Sequence, residues 1–378
     1  NIAIGDSALT LLNAGAYGFN VAVGVEAGKA MTTGVENIII GGLAGDALTT
    51  GSYNVAMGSL ALSAEDTGSR NTAIGNRALN SLNFDGNGYN TAVGFDAGLS
   101  VTTGIQNTII GGQAGDALTT GMNNVAIGKS ALGAEDTGSA NVAIGAHTLE
   151  DQDTADFNTA VGHTSARNLT TGEFNTSLGA LSMGAGVTTG DNNVAAGYQA
   201  LENVTSGSSN IMMGAFAGHG LTGGTNNVGV GHGALQVEDG HGNNVAVGHL
   251  TLSTLNAGGD AYNVAVGFQA ARLLSTGSQN TIIGGFAGDA LTTATSSVAI
   301  GYEALSTEDT MGTAVAIGYR ALQTQNSGSA AYNVAVGYDA GRAVTTGVKS
   351  TLVGGLAGDA LTTGWNNTAF GYAALSAE

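Results

Sequence analysis

The 378-residue chain has no cysteine and no proline, a single tryptophan, and 9 lysines and arginines against 28 aspartates and glutamates. Each shortage excludes something. Without cysteine no disulfide staples the chain and no thiolate is available as ligand or nucleophile. Without proline, the 64 glycines cannot belong to a collagen helix, which needs proline and a strict period of three. The formal charge of −19 disfavours a nucleic-acid backbone or an anionic membrane surface as partner. No run of about 18 apolar residues is present, so no membrane insertion is expected within this segment. Disorder is excluded as well, because 43% of the residues are hydrophobic, enough small and β-branched side chains to bury a core.

What is present is a repeat. A unit reading Asn, β-branched, small, apolar, Gly begins at residues 1, 20, 37, 54, 71, 90, 107, 124, 141, 158, 175, 193, 210, 227, 244, 263, 280, 297, 314, 333, 350 and 367. Sixteen of the 21 spacings are 17 residues, four are 19 and one is 18. The fifth column is Gly in every copy, and the first is Asn except at Ser297, Ala314 and Ser350. A β-branched, small, apolar alternation predicts a short strand with both faces covered. The Gly that follows predicts a corner with positive φ or a close backbone approach. The Asn column predicts a ladder of side-chain amides, and the segment around the eighth column predicts a second short strand. Two strands and two turns per unit make one coil of an all-β, parallel β-solenoid of about 22 coils. At about 4.8 Å per coil that would be a rod of roughly 105 Å.

A longer period overlies the first. Residues 1–70, 71–140, 175–243, 244–313 and 314–378 form four-coil blocks, and 141–174 is a two-coil insert, all within one repeat domain spanning 1–378. The third coil of a block carries a ten-residue stretch, for example "GGQAGDALTT" at 111–120, which also recurs at 41–50, 284–293 and 354–363. In these four coils and one degenerate copy the small third column becomes Ile39, Ile109, Ile282, Leu352 or Met212, while the sixth shrinks to Gly42, Gly112, Gly285, Gly355 or Ala215. That covariation predicts volume compensation in a tight core. The glycine spacing does not open a helix as a phosphate loop would.

The motifs "NTAIGNRAL" (71–79), "NTAVGFDAG" (90–98) and "NVAIGKSAL" (124–132) resemble the head repeats of trimeric autotransporter adhesins. Similar repeats occur in phage and bacterial fibre proteins, and the resemblance spans all 378 residues. It implies a left-handed parallel β-roll with three chains side by side about a three-fold axis. The 17-residue unit is longer than the adhesin unit, so the return turns here must be longer. Independently, a thin coil whose Ala-lined strand face has nothing to cover it points to a homotrimer.

Candidate chemistry is sparse. Asp46 precedes Glu65 and Asp66 by one coil, and the pattern recurs as Asp116 with Glu135 and Asp136, and as Asp289 with Glu308 and Asp309. Carboxylates on adjacent coils could share calcium through oxygen ligands. The alternative is that they solubilise the outer edge and satisfy turn amides. His232 and His249 share a column with Tyr198, Phe268, Tyr302, Tyr319 and Tyr338, which predicts ring stacking rather than a zinc site. Paired threonines such as Thr49 and Thr50 suit return turns, with ordered water for ice binding as the rival reading. No serine or histidine recurs with an aspartate as a catalytic constellation would require, so no enzyme and no resident cofactor beyond calcium is expected.

The expected function is a non-catalytic segment of an extracellular adhesive appendage, exposed on a bacterial cell surface or on a virion as a tail fibre. Its partners would be its own copies and a surface receptor. A soluble solenoid binding glycan or ice is the alternative. The sequence starts on a unit and stops at Glu378, part-way through a coil by alignment with Glu65, as a piece of a longer protein would.

Overall fold

The structure, a computed structural model, describes residues 1–13, 17–308, 310 and 312–376. It divides into two units, Asn1–Thr189 and Gly190–Glu378. The first carries three-residue strands from β1 (Ile2–Ile4) to β11 (Thr176–Leu178), and the second from β12 (Val194–Ala196) to β22 (Thr368–Phe370). Each strand occupies columns two to four of one repeat. Within each unit successive strands pair in parallel and in register, as in Val21↔Ile38, Ala22↔Ile39 and Val23↔Ile40, and Val228↔Val245, Gly229↔Ala246 and Val230↔Val247. Each unit is therefore a parallel β-solenoid. No α-helix occurs among the described residues, and none of their helices is long and apolar enough to cross a membrane.

The invariant glycine answers to both of its expected causes. Gly41 has φ of 138°, open in practice only to glycine. A Cβ there would land on the carbonyl of Gly58, the same column of the next coil. The repeat can stack at strand spacing only because no side chain stands in this column.

The expected second strand is absent. Columns seven and nine take left-handed backbone in every coil, as at Leu43 (φ 57°) and Gly45 (φ 49°) or Leu60 (φ 60°) and Leu62 (φ 54°), whereas a strand needs extended dihedrals throughout. The coils still bond along this side. Leu43 N–H donates to the Val25 carbonyl and Gly45 N–H donates to the Ala61 carbonyl, each at 2.9 Å. A left-handed non-glycine residue costs about 1–2 kcal/mol. Here the inter-coil hydrogen bonds, at about 1 kcal/mol each, and the burial of the column-nine leucines offset it.

The interior is built from columns one, three, eight, nine and twelve, with column eight supplying the buried Ala44, Ala61 and Ala78. Column three is buried from Ala22 to Ala369, with Leu62, Leu79 and Leu132 of column nine and Leu48, Leu82 and Leu118 of column twelve beside it. The alanines therefore face inward, which corrects the expectation of an uncovered Ala-lined face. Column one is the Asn ladder. Asn54 donates its backbone N–H to Asn37 Oδ1 at 2.9 Å and its Nδ2–H to the Gly68 carbonyl at 2.9 Å. This satisfies two backbone groups that lie outside the strand ladder.

Volume compensation also holds, but at a different glycine. A Cβ on Gly42 would meet nothing within 4 Å, whereas one on Gly45 would touch Ile39 Cδ1 at 3.4 Å. Column nine, not column six, gives way to the large third residue. The coils containing Ala56 and Ala73 place Leu62 and Leu79 in column nine, whereas the coils of Ala22 and Ala92 keep Gly28 and Gly98 there, where a Cβ would meet Ile39 or Ile109 of the next coil.

Candidate functional site

Columns two and four of every strand point out of the coil. Among the described residues nothing within either unit covers them, so the expectation that both strand faces are covered is corrected. In the first unit Ile38, Ile110, Ile144 and Leu178 are exposed, and in the second Ile211, Met213, Val264 and Ile283, at 37–46% of their full surface. Thr72, Val125 and Val228 continue the same columns half-buried. The result in each unit is a regular apolar face made of strand side chains in register. An exposed apolar face of this kind is a candidate interaction surface.

The acidic residues are distributed differently from the calcium expectation. Glu65 and Glu135 are completely buried, standing in column twelve where Met31, Leu48 and Leu82 stand elsewhere. Gly68 N–H donates to Glu65 Oε1 at 2.6 Å and Gly138 N–H donates to Glu135 Oε1 at 2.5 Å. Glu308 is buried too and accepts from Gln325 Nε2 at 3.0 Å. Burial raises the Glu65 carboxyl above the usual carboxylate range, against the opposing pull of the Gly68 N–H. It pushes Glu135 up to about 7, opposed by the Gly138 N–H and by Gln152. Burial likewise raises Asp46, Asp116 and Asp289 in the outer turn. With the glutamates turned inward, the oxygens of Asp46, Glu65 and Asp66 do not converge as a three-ligand group, nor do those of Asp116, Glu135 and Asp136. Asp309 lies outside the described residues, which leaves Asp289 and Glu308 of the third set.

Among the described residues one set of three does converge: Glu238, Asp239 and His241, with ligand atoms all within 4.8 Å of one another. The signal in the sequence was local: His241 stands in column fifteen, which is Gly or Ala in every other 17-residue coil except at Met311.

The aromatic column stacks as its substitution pattern implied. His232 and His249 lie with ring centroids 5.3 Å apart at 16°, and His249 and Phe268 5.1 Å apart at 8°. Phe216 and Phe286, from column seven, insert edge-on where column six has only Ala215 or Gly285. The run extends from Tyr198 through Tyr302 and Tyr319 to Tyr338. Stacked and edge-on contacts between neighbouring coils let these rings brace the solenoid, while Tyr198, Phe268, Tyr302 and Tyr338 stay exposed. The column-thirteen threonines also serve the fold. Thr49 Oγ1 donates to the Asp66 carbonyl at 2.8 Å and Thr119 Oγ1 to the Asp136 carbonyl at 2.9 Å.

No protein-family model matches the chain, and no curated protein matches it in sequence.

Proposed function

We propose that the chain is a non-catalytic structural segment of an extracellular adhesive appendage, a bacterial surface adhesin or filament or a phage tail fibre. In this reading three copies pack side by side through their strand faces, and a surface receptor is engaged by the assembled appendage. The observation that carries it is the apolar strand face, repeated in register along each unit and left uncovered among the described residues of that unit. The resemblance to adhesin head repeats supports the same reading. So does the architecture: each coil adds about 4.8 Å of reach with the same hydrogen bonds as the one before. The buried carboxylates and stacked rings stiffen or tune the coils and are given no substrate to act on.

Immunogold electron microscopy with antibodies raised against residues 1–378 tests the reading. Label on filaments at the cell surface, or on virion fibres, is the expected result. Label confined to the cell interior would overturn it.

A further inference from the structure

The turn at residues 236–243 departs from its counterparts in one chemical respect. Where other blocks read Glu65-Asp66-Thr67-Gly68 and Glu135-Asp136-Thr137-Gly138, this one reads Glu238-Asp239-Gly240-His241. In the other coils the glycine lies directly over the buried carboxylate, and a Cβ on Gly68 would run into the Glu65 carboxyl group. At His241 the side chain is present, and its imidazole sits beside the Glu238 carboxylate. His241 Nδ1 lies 3.2 Å from Glu238 Oε1 and 3.7 Å from Asp239 Oδ1.

Glu238 has no exposed surface, and its second oxygen, Oε2, is buried without a hydrogen-bond partner. That oxygen belongs to the carboxylate that faces the imidazole, so covalent geometry places it at the same cluster. A buried carboxylate oxygen without a donor is costly unless a cation or proton meets it. Asp239 and His241 lie on the solvent side, with side chains 54% and 23% exposed, which gives an ion a path in. Bonds of about 2.0–2.2 Å to nitrogen and oxygen in a tetrahedral zinc site put neighbouring ligand atoms roughly 3.3–3.5 Å apart. The two measured separations bracket that edge.

We propose that Glu238, Asp239 and His241 form a binding site for a divalent transition ion of the zinc class, with water completing the coordination. The imidazole selects against calcium, which takes oxygen ligands alone. The two carboxylates balance the charge of the ion. Among the described residues the site occurs once, because only this turn places a histidine in the glycine column.

The test is equilibrium dialysis of the full chain, stripped with chelator, against zinc chloride, with bound metal counted by elemental analysis. One zinc per chain is expected, together with a rise in melting temperature. His241→Gly restores the residue found at Gly68 and Gly138, and Asp239→Asn changes an exposed side chain. Each is expected to weaken binding at least tenfold and to abolish the thermal shift. Calcium chloride at equal concentration is expected not to displace the zinc. Absence of zinc binding, equal binding by wild type and either variant, or displacement by calcium would overturn the assignment.

Discussion

Gly68 donates its backbone N–H to Glu65 Oε1 at 2.6 Å, inside a coil whose equivalent side chains are Met31, Leu48 and Leu82. The pair shows how the repeat admits a carboxylate into its apolar interior. The return turn has a backbone donor to satisfy, and in the threonine coils the next coil supplies the acceptor, as when Gly34 N–H donates to the Thr49 carbonyl at 3.4 Å. In the glutamate coils the side chain does so from within.

Stability should therefore fall as pH rises. Glu135 titrates at about 7 rather than near 4.5, so the folded chain holds this proton more tightly than the unfolded chain. Its contribution is complete below about pH 4.5 and is lost as pH rises through 7. A shift of that size corresponds to about 3 kcal/mol. Glu65 moves in the same direction. Glu135→Gln keeps an acceptor for Gly138 and removes the ionisation. The variant should match wild type at pH 4 and exceed it by about 2–3 kcal/mol at pH 8, read from denaturant midpoints.

Two adjacent glycines should behave oppositely. Gly41→Ala drives a Cβ into the Gly58 carbonyl from a left-handed φ, whereas Gly42→Ala enters open space. The first should cost at least about 3 kcal/mol. The second should change stability by less than about 1 kcal/mol, with a slight gain from the less flexible unfolded chain. Thermal melts of the two variants at one protein concentration decide it. Equal losses would mean that column six is as crowded as column five.

The exchange between columns three and nine predicts a double-mutant rescue. Ile39→Ala alone should cost about 2–5 kcal/mol as a cavity, and Gly45→Leu alone about 1–3 kcal/mol by overpacking. Together they recreate the pairing of Ala56 with Leu62 in the next coil. The double variant should be more stable than the sum of the single losses, with a coupling above about 1 kcal/mol. Simple additivity would rule out a shared space.

These contrasts mark how far the sequence could be read. The strand columns were legible because β-branched residues and glycine repeat at fixed positions, and all 22 strands fall on columns two to four. The side around column eight was misread because its left-handed residues include Leu62, Arg77 and Glu303, which carry no local signature of that conformation. The position of the compensating glycine was misread for a related reason: without the backbone path, columns six and nine are equally good neighbours of column three. The candidate acids were legible as a pattern but not in direction. Nothing in "EDTG" says that the glutamate turns inward while the aspartate turns out. His241 was not singled out in the sequence, because its column and not its residue type carries the information.

Calcium should leave the acidic turns of the first two blocks unchanged. With Glu65 and Glu135 bonded to Gly68 and Gly138 inside the coil, Asp46 and Asp116 lack the partners for a multidentate oxygen site. Calcium chloride added to chelator-stripped protein should shift the melting temperature by no more than the scatter between repeats. A clear rise that persists in Asp239→Asn would return those turns to candidacy as ion sites.

The central claim is that the apolar strand face is an interface between copies of this chain. Sedimentation equilibrium of the intact chain tests it most directly. The account predicts a species of three times 37.0 kDa that dissociates when Ile110→Lys places a charge on that face. A particle of 37.0 kDa that stays monomeric across the concentration range would contradict it.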